Sequence, residues 1–229
     1  MTAARLQIST RVAAIIPALN EEATIADVVS VLVQSEYIDE IIVISDGSTD
    51  RTAQKAREAG ATTVHELDYS GGKGQAMLHG IRHTKAPVVA FFDADLRGLT
   101  VKHVERIVLP VLTGARDMNV ALRDKGAKTP LIQYLPLIGG ERALRRDIIE
   151  SINPEYLKGY MVEVALNYFC RSHRRPYGSV PLRGLDIRRK FEKTGWTKAI
   201  FGKNGYIHMS FQVVKAMLIV RLAHLLGKF

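Results

Sequence analysis

The feature that most constrains this chain is the regular alternation of short apolar runs and helix-like segments in its first half. The apolar runs are rich in Val, Ile and Phe, as is typical of buried strands, and occupy residues 12–16, 40–45, 62–66 and 87–92. The segments between them carry apolar residues at helical spacing and occupy residues 22–35, 49–59 and 74–83. This order predicts an α/β fold, a mostly parallel Rossmann-like sheet flanked by helices, with ligands at the carboxyl ends of the strands.

After residue 99 the alternation is less regular. The pattern predicts helices over residues 100–113, 141–151 and 159–171, extended segments over residues 116–122 and 178–185, a loop over residues 123–136 and an apolar segment over residues 209–226. Neither a linker nor an internal repeat divides the chain. We therefore expect a single domain.

Composition and charge narrow the classes of protein to consider. The 229 residues are 47% hydrophobic, enough for a sizeable core without disulfides. A single cysteine, Cys170, excludes an intramolecular disulfide, and no apolar signal segment opens the chain, so we expect a cytoplasmic protein. The net charge of +9 favours a polyanionic partner, either nucleic acid, a phosphorylated metabolite or an anionic membrane.

Polar residues follow the first two predicted strands. Pro-Ala-Leu-Asn-Glu-Glu occupies residues 17–22, where Asn20 is suited to capping the next helix. Asp-Gly-Ser-Thr-Asp occupies residues 46–50 and combines a carboxylate, a flexible glycine and two hydroxyls that are also suited to capping. Taken alone, each motif is explained equally well by an ordinary turn.

The next two strand ends carry stronger signals. Gly-Gly-Lys-Gly at residues 71–74 offers backbone N–H groups and a cation to phosphate oxygens, although Gly74 after Lys73 excludes a Walker loop. Asp93 and Asp95 repel each other unless a divalent cation neutralises them, and their oxygen ligands suit Mg²⁺ or Mn²⁺. A surface turn with a capping aspartate is the alternative for this last motif.

Together these motifs resemble family 2 of the nucleotide-sugar glycosyltransferases, which have the GT-A fold. The resemblance implies that Asp46 accepts a hydrogen bond from the base, that Lys73 lies near the base or the phosphates, and that Asp95, with Asp93, ligates the metal. The full set of donor-site residues that it implies is Pro17, Ala18, Leu19, Asn20, Glu22, Asp46, Ser48, Lys73, Asp93, Ala94, Asp95 and Gly140.

The resemblance also implies an activity, namely metal-dependent transfer of a sugar from a nucleotide diphosphate to an acceptor, with Mg²⁺ or Mn²⁺ as cofactor. The leaving diphosphate accumulates negative charge, which a metal ion and backbone donors stabilise. We expect one GT-A domain over residues 1–229, with a nucleotide-sugar-binding half at 1–98, an acceptor half at 99–208 and a C-terminal amphipathic helix at 209–229.

The second half is similar, though less closely, to glucosyl-3-phosphoglycerate synthases and polyprenyl-phosphate glycosyltransferases, through residues 137–146 and 159–166. In those enzymes the glutamate of the second segment faces the reaction centre. Glu163 is therefore a candidate catalytic residue, for positioning or as a base, together with Asp95. A salt bridge between Glu163 and a neighbouring arginine on a helix is the alternative. Family 2 suggests inversion and the synthases suggest retention, so the stereochemistry stays open.

The predicted helix over residues 141–151 places Arg142, Arg145 and Arg146 on one face, where guanidinium groups would bind an acceptor phosphate. These arginines predict a phosphate-bearing acceptor, and a solvated basic face is the alternative. The resemblance to the synthases and the polyprenyl-phosphate enzymes implies that this acceptor is a polyprenyl phosphate or a small phosphorylated acid. Residues 121–130 depart from the Gly-Arg-Val-Thr-type acceptor loop of the synthases, which leaves the choice of acceptor open.

Other acidic and histidine residues are candidates for further metal ligands. The synthases place a metal-binding histidine after the late extended segment, where this chain offers Asp186 as the nearest candidate and His208 as the second. His79 and His83 are four residues apart on a predicted helix, a spacing compatible with a shared metal ion. The sequence shows no third ligand beside these two histidines.

The final segment, residues 209–229, is strongly apolar but is interrupted by Lys215, Arg221 and His224 and is too short to span a bilayer. As an amphipathic helix it would lie on an anionic leaflet, at the inner face of the cell membrane, or bury its apolar face in a second subunit of a homodimer. Ordinary packing inside the domain is the third interpretation.

Two other functions explain parts of the pattern. A sugar-phosphate nucleotidyltransferase also places acidic metal ligands at strand ends, but it normally opens with a glycine-rich basic loop where this chain has Pro-Ala-Leu-Asn at 17–20. A non-catalytic basic module that binds nucleic acid or membrane needs stacking aromatics, and aromatic residues are 7% of the chain. We therefore expect no nucleic-acid partner.

Overall fold

The structure is a computed structural model that describes residues 10–123, 139–159, 161–187 and 206–227. The first half contains β1 (Val12–Ala18), α1 (Ile25–Val33), β2 (Glu40–Asp46), α2 (Thr52–Glu58), β3 (Thr63–Leu67), α3 (Lys73–Arg82), β4 (Val88–Phe91) and β5 (Leu96–Arg97). The second half contains α4 (Val101–Leu112), β6 (Met118–Arg123), β7 (Arg142–Arg145), α5 (Arg146–Glu150), a 3₁₀ turn (Pro154–Leu157), α6 (Met161–Ser172), β8 (Tyr177–Leu182), β9 (Asp186–Ile187) and α7 (Tyr206–Leu225).

The main sheet has the strand order β3-β2-β1-β4-β7-β6-β8. All neighbouring pairs are parallel except those that β7 makes with β4 and β6. This mostly parallel sheet flanked by helices confirms the predicted α/β fold. A separate ladder pairs the two-residue strands β5 and β9.

The helix predicted over residues 141–151 is wrong in its first half. Residues 142–145 form β7, and Ala143 lies opposite Ala90 of β4 on one side and Asn119 of β6 on the other. Arginine, alanine and leucine favour helices locally, but an interior position in a sheet overrides that weak preference. The helical part begins only at Arg146.

Both faces of the sheet are buried, which explains why the first strands are almost continuously apolar. Along β1, Val12, Ala14 and Ile16 pack into the core beneath α1 and α4. Ala13 and Ile15 point to the other face, into a core that includes residues of α3, α6 and α7.

The last helix, α7, packs against α6 and contributes Ala216, Val220 and Ala223 to the buried interior. Ordinary packing therefore accounts for one face of this helix. The opposite face leaves Leu218 and Leu222 66% and 58% exposed. In the part of the chain that the structure describes, no helix combines the length and hydropathy needed to cross a membrane.

Candidate functional site

The site lies at the edge of the sheet where β1, β2 and β4 end. These strands are parallel neighbours, so the polar residues that follow them converge, as expected for an open α/β sheet. The loops at residues 17–22, 46–50, 70–74 and 93–95 meet there.

The loops after β1 and β2 are hydrogen-bonded to each other through Asn20. Its backbone N–H donates to Ser48 Oγ at 3.1 Å, and its Oδ1 accepts from Thr49 N at 2.9 Å. Asn20 has a positive φ of 55°, a conformation that asparagine tolerates. The prediction that Asn20 caps the following helix is wrong, because Thr24 stands at that position and donates its hydroxyl to the Ala94 carbonyl at 2.8 Å.

Glu22 is held between the same two loops. Its Oε2 accepts from Arg51 N at 3.2 Å and from Arg51 Nε at 3.3 Å, and its carbonyl accepts from Lys55 Nζ at 2.8 Å. Of the other residues in this motif, Ala18 is buried, whereas Leu19 is 46% exposed. An exposed leucine on an otherwise fixed loop provides an apolar surface beside the site.

Asp46, at the end of β2, orders the glycine loop. The carboxylate is buried and accepts from Gly71 N at 2.8 Å, from Gly72 N at 2.9 Å and from Ser70 Oγ at 2.8 Å. The loop therefore has one defined path, and that path leads directly into Lys73, the first residue of α3.

Lys73 connects two carboxylates from distant parts of the chain. Its Nζ lies 2.7 Å from Asp93 Oδ1 and 3.3 Å from Glu163 Oε1. Burial alone would favour the neutral amine, but these two carboxylates outweigh it and raise the pKa of Lys73 above its ordinary value. The partner of Glu163 in these contacts is thus a lysine of α3, and the alternative of a neighbouring arginine on a helix is not what they show.

Asp93 lies between two cations. Besides Lys73, its Oδ2 has Arg123 Nη2 at 3.5 Å. Burial opposes ionisation, yet these cations keep the pKa of Asp93 below its ordinary value. Gly140 passes so close that a Cβ there would overlap the Asp93 carboxylate. A glycine at position 140 thus leaves room for the Asp93 carboxylate in its present position.

Sequence reasoning missed Arg123 and Glu141. Glu141 is fully buried, and its Oε1 accepts from Arg123 Nη2 at 2.6 Å, while its Oε2 is buried without a hydrogen-bond partner. Burial and the nearby charge of Asp93 together raise the pKa of Glu141. Arg123 lies in a predicted loop and Glu141 at the start of a predicted helix, so the sequence shows no motif that links them. Their connection to the site becomes visible only when the structure places both beside Asp93.

The two remaining candidate metal ligands, Asp95 and Asp186, lie near the small β5–β9 ladder. Asp95 is half-buried immediately before β5, and Asp186 is exposed and lies opposite Arg97 in the backbone register of the β5–β9 ladder. Carboxylate oxygens such as those of Asp93, Asp95 and Asp186 are the donors that Mg²⁺ and Mn²⁺ prefer. The side chain of His208, and the predicted loop over 123–136 apart from Arg123, lie outside the described residues.

The prediction that three arginines share one helical face is wrong. Arg142 and Arg145 are in strand β7, where the first is fully buried and the second is exposed, and Arg146 begins α5. Arg145 Nε lies 3.3 Å from Asp147 Oδ1, and Arg146 Nε lies 2.6 Å from Glu150 Oε1. The structure therefore distributes these arginines among separate environments.

Comparison with known proteins identifies the family to which this geometry corresponds. The family model described as glycosyl transferase family 2 matches residues 13–169. Glucosyl-3-phosphoglycerate synthase of Mycolicibacterium smegmatis is 30% identical over 190 residues, covering 68% of this chain and 62% of that protein. The 4,4'-diaponeurosporenoate glycosyltransferase of Staphylococcus aureus is 39% identical over 98 residues, covering 41% of this chain and 26% of that protein. The chain thus spans less than two thirds of the length of these curated relatives.

Solved structures give the same family resemblance. Glucosyl-3-phosphoglycerate synthase from Mycobacterium tuberculosis, in complex with Mg²⁺ and UDP, superposes with a TM-score of 0.72 at 28% identity, covering 92% of this chain and 79% of that chain. The same enzyme with Mn²⁺, UDP-glucose and phosphoglyceric acid also gives a TM-score of 0.72 at 28% identity, with the same coverage.

Proposed function

This chain belongs to glycosyl transferase family 2, and from that premise we propose that it transfers a sugar from UDP to a small phosphate-bearing acceptor. The observation that carries the proposal is the placement of Lys73 between Asp93 and Glu163 at the shared edge of β1, β2 and β4. This arrangement presents a fixed cation and carboxylates where the diphosphate of a nucleotide sugar would lie. The ligands crystallised with the tuberculosis enzyme support UDP and a phosphorylated acid as the substrate class.

In this proposal the joined loops after β1 and β2 bind the nucleoside. Leu19 offers its exposed side chain to the base, and the hydrogen bonds among Asn20, Ser48 and Thr49 hold the loop in one shape. Pro17, Ala18 and Glu22 complete this wall, and Asp46 fixes the glycine loop that brings Lys73 to the phosphates. A prearranged site of this kind binds without first paying the entropy of ordering its loops.

We assign Asp93, Asp95 and Asp186 to the divalent metal, with Ala94 and Gly140 lining the space beside them. When bound, Mg²⁺ or Mn²⁺ supplies positive charge to the departing diphosphate. Lys73 adds a cation to the same region, and it also prevents Asp93 from repelling its acidic neighbours in the absence of ligand. Burial of the surrounding groups strengthens each of these charge interactions.

Glu163 is assigned to positioning rather than to proton transfer. It is 13% exposed at its side chain, and its Oε1 already accepts from Lys73. A carboxylate tied to an ammonium is suited to hold sugar hydroxyls in place, and this role is compatible with transfer that retains configuration.

We assign one of the three predicted arginines, Arg142, to the acceptor side of the site. Arg142 pairs with Phe91 at the carboxyl end of β4, whereas Arg145 pairs with Val88 at the opposite end. Arg142 therefore contributes buried positive charge beneath the site, where it would favour an acceptor phosphate without contacting solvent. Arg145 and Arg146 have no comparable placement, and we assign them no role in acceptor binding.

We also propose a cytoplasmic enzyme that contacts the anionic face of a membrane through α7. The helix carries an exposed apolar stripe with basic residues beside it. The stripe is formed by Val214, Leu218, Leu222 and Leu225, and the adjacent cations are Lys215 and Arg221. An apolar stripe with a basic border fits the interface of an anionic bilayer. A second copy of the chain is the competing occupant.

Neither a nucleotidyltransferase nor a nucleic-acid-binding module is supported by the family match or by the structural relatives.

The first experiment is thermal unfolding of the chain with a panel of nucleoside diphosphates and nucleotide sugars, each with and without Mn²⁺. Ligands that bind the folded state raise its melting temperature. We expect a metal-dependent rise with UDP and UDP-sugars that exceeds the rise with other nucleotides. Turnover is then measured as release of UDP with 3-phosphoglycerate as acceptor. A chain that responds to none of the nucleotides would contradict the proposed function.

A further inference from the structure

Three histidines lie together at the edge of the main sheet, apart from the residues assigned above to the donor. His65 is on edge strand β3, His79 is on α3, and His83 directly follows that helix. One ligand atom of each side chain lies within 4.8 Å of the other two. In the sequence, His79 and His83 have no third ligand beside them. The fold brings the imidazole of His65 to that position.

Not all imidazole nitrogens in this histidine cluster have hydrogen-bond partners. Nε2 of His65 and Nε2 of His79 are buried and have no hydrogen-bond partner. Buried polar atoms normally have a partner, and an ion bound between these two nitrogens would satisfy both. Nδ1 of His83 lies 2.8 Å from the carbonyl oxygen of His79. A proton on that nitrogen leaves Nε2 of His83 available as a ligand, which is the usual arrangement of a metal-binding histidine.

We propose that His65, His79 and His83 bind a transition-metal cation of the Zn²⁺ type, with water in the fourth position. Imidazole nitrogen suits zinc, copper and nickel, whereas Mg²⁺ and Ca²⁺ prefer oxygen ligands. Zinc–nitrogen bonds of about 2.0–2.1 Å in a tetrahedral site place the nitrogens about 3.4 Å apart. The ring of His83 is exposed and packs on the other two, with ring centroids 4.0 Å from His65 and 4.4 Å from His79. The ligand atoms, now within 4.8 Å of one another, would have to shift toward that spacing when a metal binds.

This zinc site differs from the carboxylate site in both chemistry and location. Lys73 begins α3, and His79 is six positions further along, a distance of about 9 Å on an α-helix. A metal ion here would tie the end of α3 to β3, the edge strand of the main sheet. Its role is to stabilise this edge and to hold the helix that carries Lys73, and it is not a participant in sugar transfer.

The test uses the full chain, stripped with a chelator and then loaded with Co²⁺ in the presence of excess Mg²⁺. Four-coordinate Co²⁺ has intense visible absorption, and Zn²⁺ displaces it from nitrogen sites. We expect one equivalent to remain after gel filtration. We expect His83→Gln to weaken this binding by more than about 100-fold, since loss of even an outer-shell partner commonly costs 10- to 100-fold. His173→Gln, another exposed histidine outside the cluster, is the matched control and should bind as the unchanged chain does.

A second variant separates this site from the carboxylate site. Asp95→Ala should retain one equivalent of Co²⁺, and loss of the ion in that variant would place the metal at the carboxylates and overturn the proposal. Failure of the unchanged chain to retain Co²⁺, or full retention by His83→Gln, would overturn it as well. His83 is exposed, so its replacement leaves the core intact, and circular dichroism checks the fold. Because the readout is metal content, the result is independent of the proposed transferase activity.

Discussion

The ammonium nitrogen of Lys73 lies 2.7 Å from Oδ1 of Asp93, which joins the start of α3 to the residues that follow β4. Each of these partly buried residues partly neutralises the charge of the other. The pair also fixes the distance between the glycine loop and the acidic motif. Any ligand with two phosphates would enter a site whose charges are already arranged.

Replacing Lys73 by methionine removes the cation between Asp93 and Glu163. We expect transfer to fall by about 100-fold or more, because a positioned charge that stabilises a departing group commonly contributes that much. UDP affinity should fall as well. The measurements are steady-state turnover and calorimetric titration with UDP. Lys85→Met is the control, since Lys85 is exposed at the opposite end of β4, and equal losses in both variants would contradict the assignment.

Replacing Asp95 by alanine should abolish the metal dependence of turnover while leaving the fold intact. Asp95 is only half-buried, so its removal leaves no large cavity. We expect a loss of about 100- to 1,000-fold at saturating Mn²⁺. Turnover is followed across a Mn²⁺ titration, with Asp27→Ala on the exposed surface of α1 as control. Activity equal to that of the unchanged chain would refute the metal assignment.

Gly140→Ala tests the close approach to Asp93. The added methyl group would overlap the carboxylate, so Asp93 must move away from Lys73 or the backbone must shift. We expect a strong loss of transfer and weaker metal activation. Gly114→Ala is the matched control, because it has positive φ but open space around its Cβ position. That variant should lose about 1–2 kcal/mol of stability and keep its activity.

Glu141 gives a pH dependence with a definite sign. Its pKa is raised above the ordinary value of 4.5 by burial and by Asp93, so the native state keeps a proton that the unfolded chain releases. Stability from this group is therefore present below pH 4.5 and is lost as pH rises through the raised pKa. The free energy of unfolding is measured with urea over a series of pH values. We expect it to decrease less with rising pH in Glu141→Gln than in the unchanged chain. Exposed Glu155→Gln should leave the profile unchanged, and a steeper profile in Glu141→Gln would contradict this sign.

The stripe on α7 is best tested by point substitution. Deleting residues 209–229 would also remove Ala216 and Val220, which are buried in the interior, and would confuse unfolding with loss of binding. We expect Leu218→Ser with Leu222→Ser to reduce binding to anionic vesicles by at least about tenfold, from the apolar area lost. Val33→Ser is the control, since Val33 is an exposed apolar residue on α1.

Analytical sedimentation of the same α7 variant tests whether the stripe contacts a second copy of the chain instead of a membrane. If the unchanged chain is dimeric and the variant is monomeric, with equal vesicle binding, then the stripe is a subunit interface. Equal vesicle binding with no change in mass would contradict both occupants.

Strands β1, β2 and β4 were predictable because their apolar runs end at Pro or Asp and nearly all of their residues are buried. Edge strand β3 is partly exposed, and its prediction relied on its place in the alternation of strands and helices. The predicted runs at 12–16 and 40–45 became Val12–Ala18 and Glu40–Asp46. Strand β7 was not predictable in the same way. Its residues favour a helix, and only pairing with β4 and β6 makes them extended.

The donor motifs were predictable because each follows a strand, and parallel strands bring such positions together. The partners of those motifs were not, since they come from far along the chain. Glu163 is 90 positions from Lys73, and Arg123 meets Glu141 only because β6 and β7 share the sheet. His65 was missed for the same reason. The four-residue spacing on a helix connects His79 and His83, but His65 lies on strand β3 and meets them only in the folded chain.

The interior position of β7 has a consequence for how this protein could acquire new acceptors. A strand from the second half of the chain fills the gap between β4 and β6, so the first half alone would expose the edge of β4. The two halves are therefore not interchangeable modules. Recombination between relatives at the midpoint of the chain would separate strands that depend on each other, whereas changes confined to surface loops would leave the shared sheet intact.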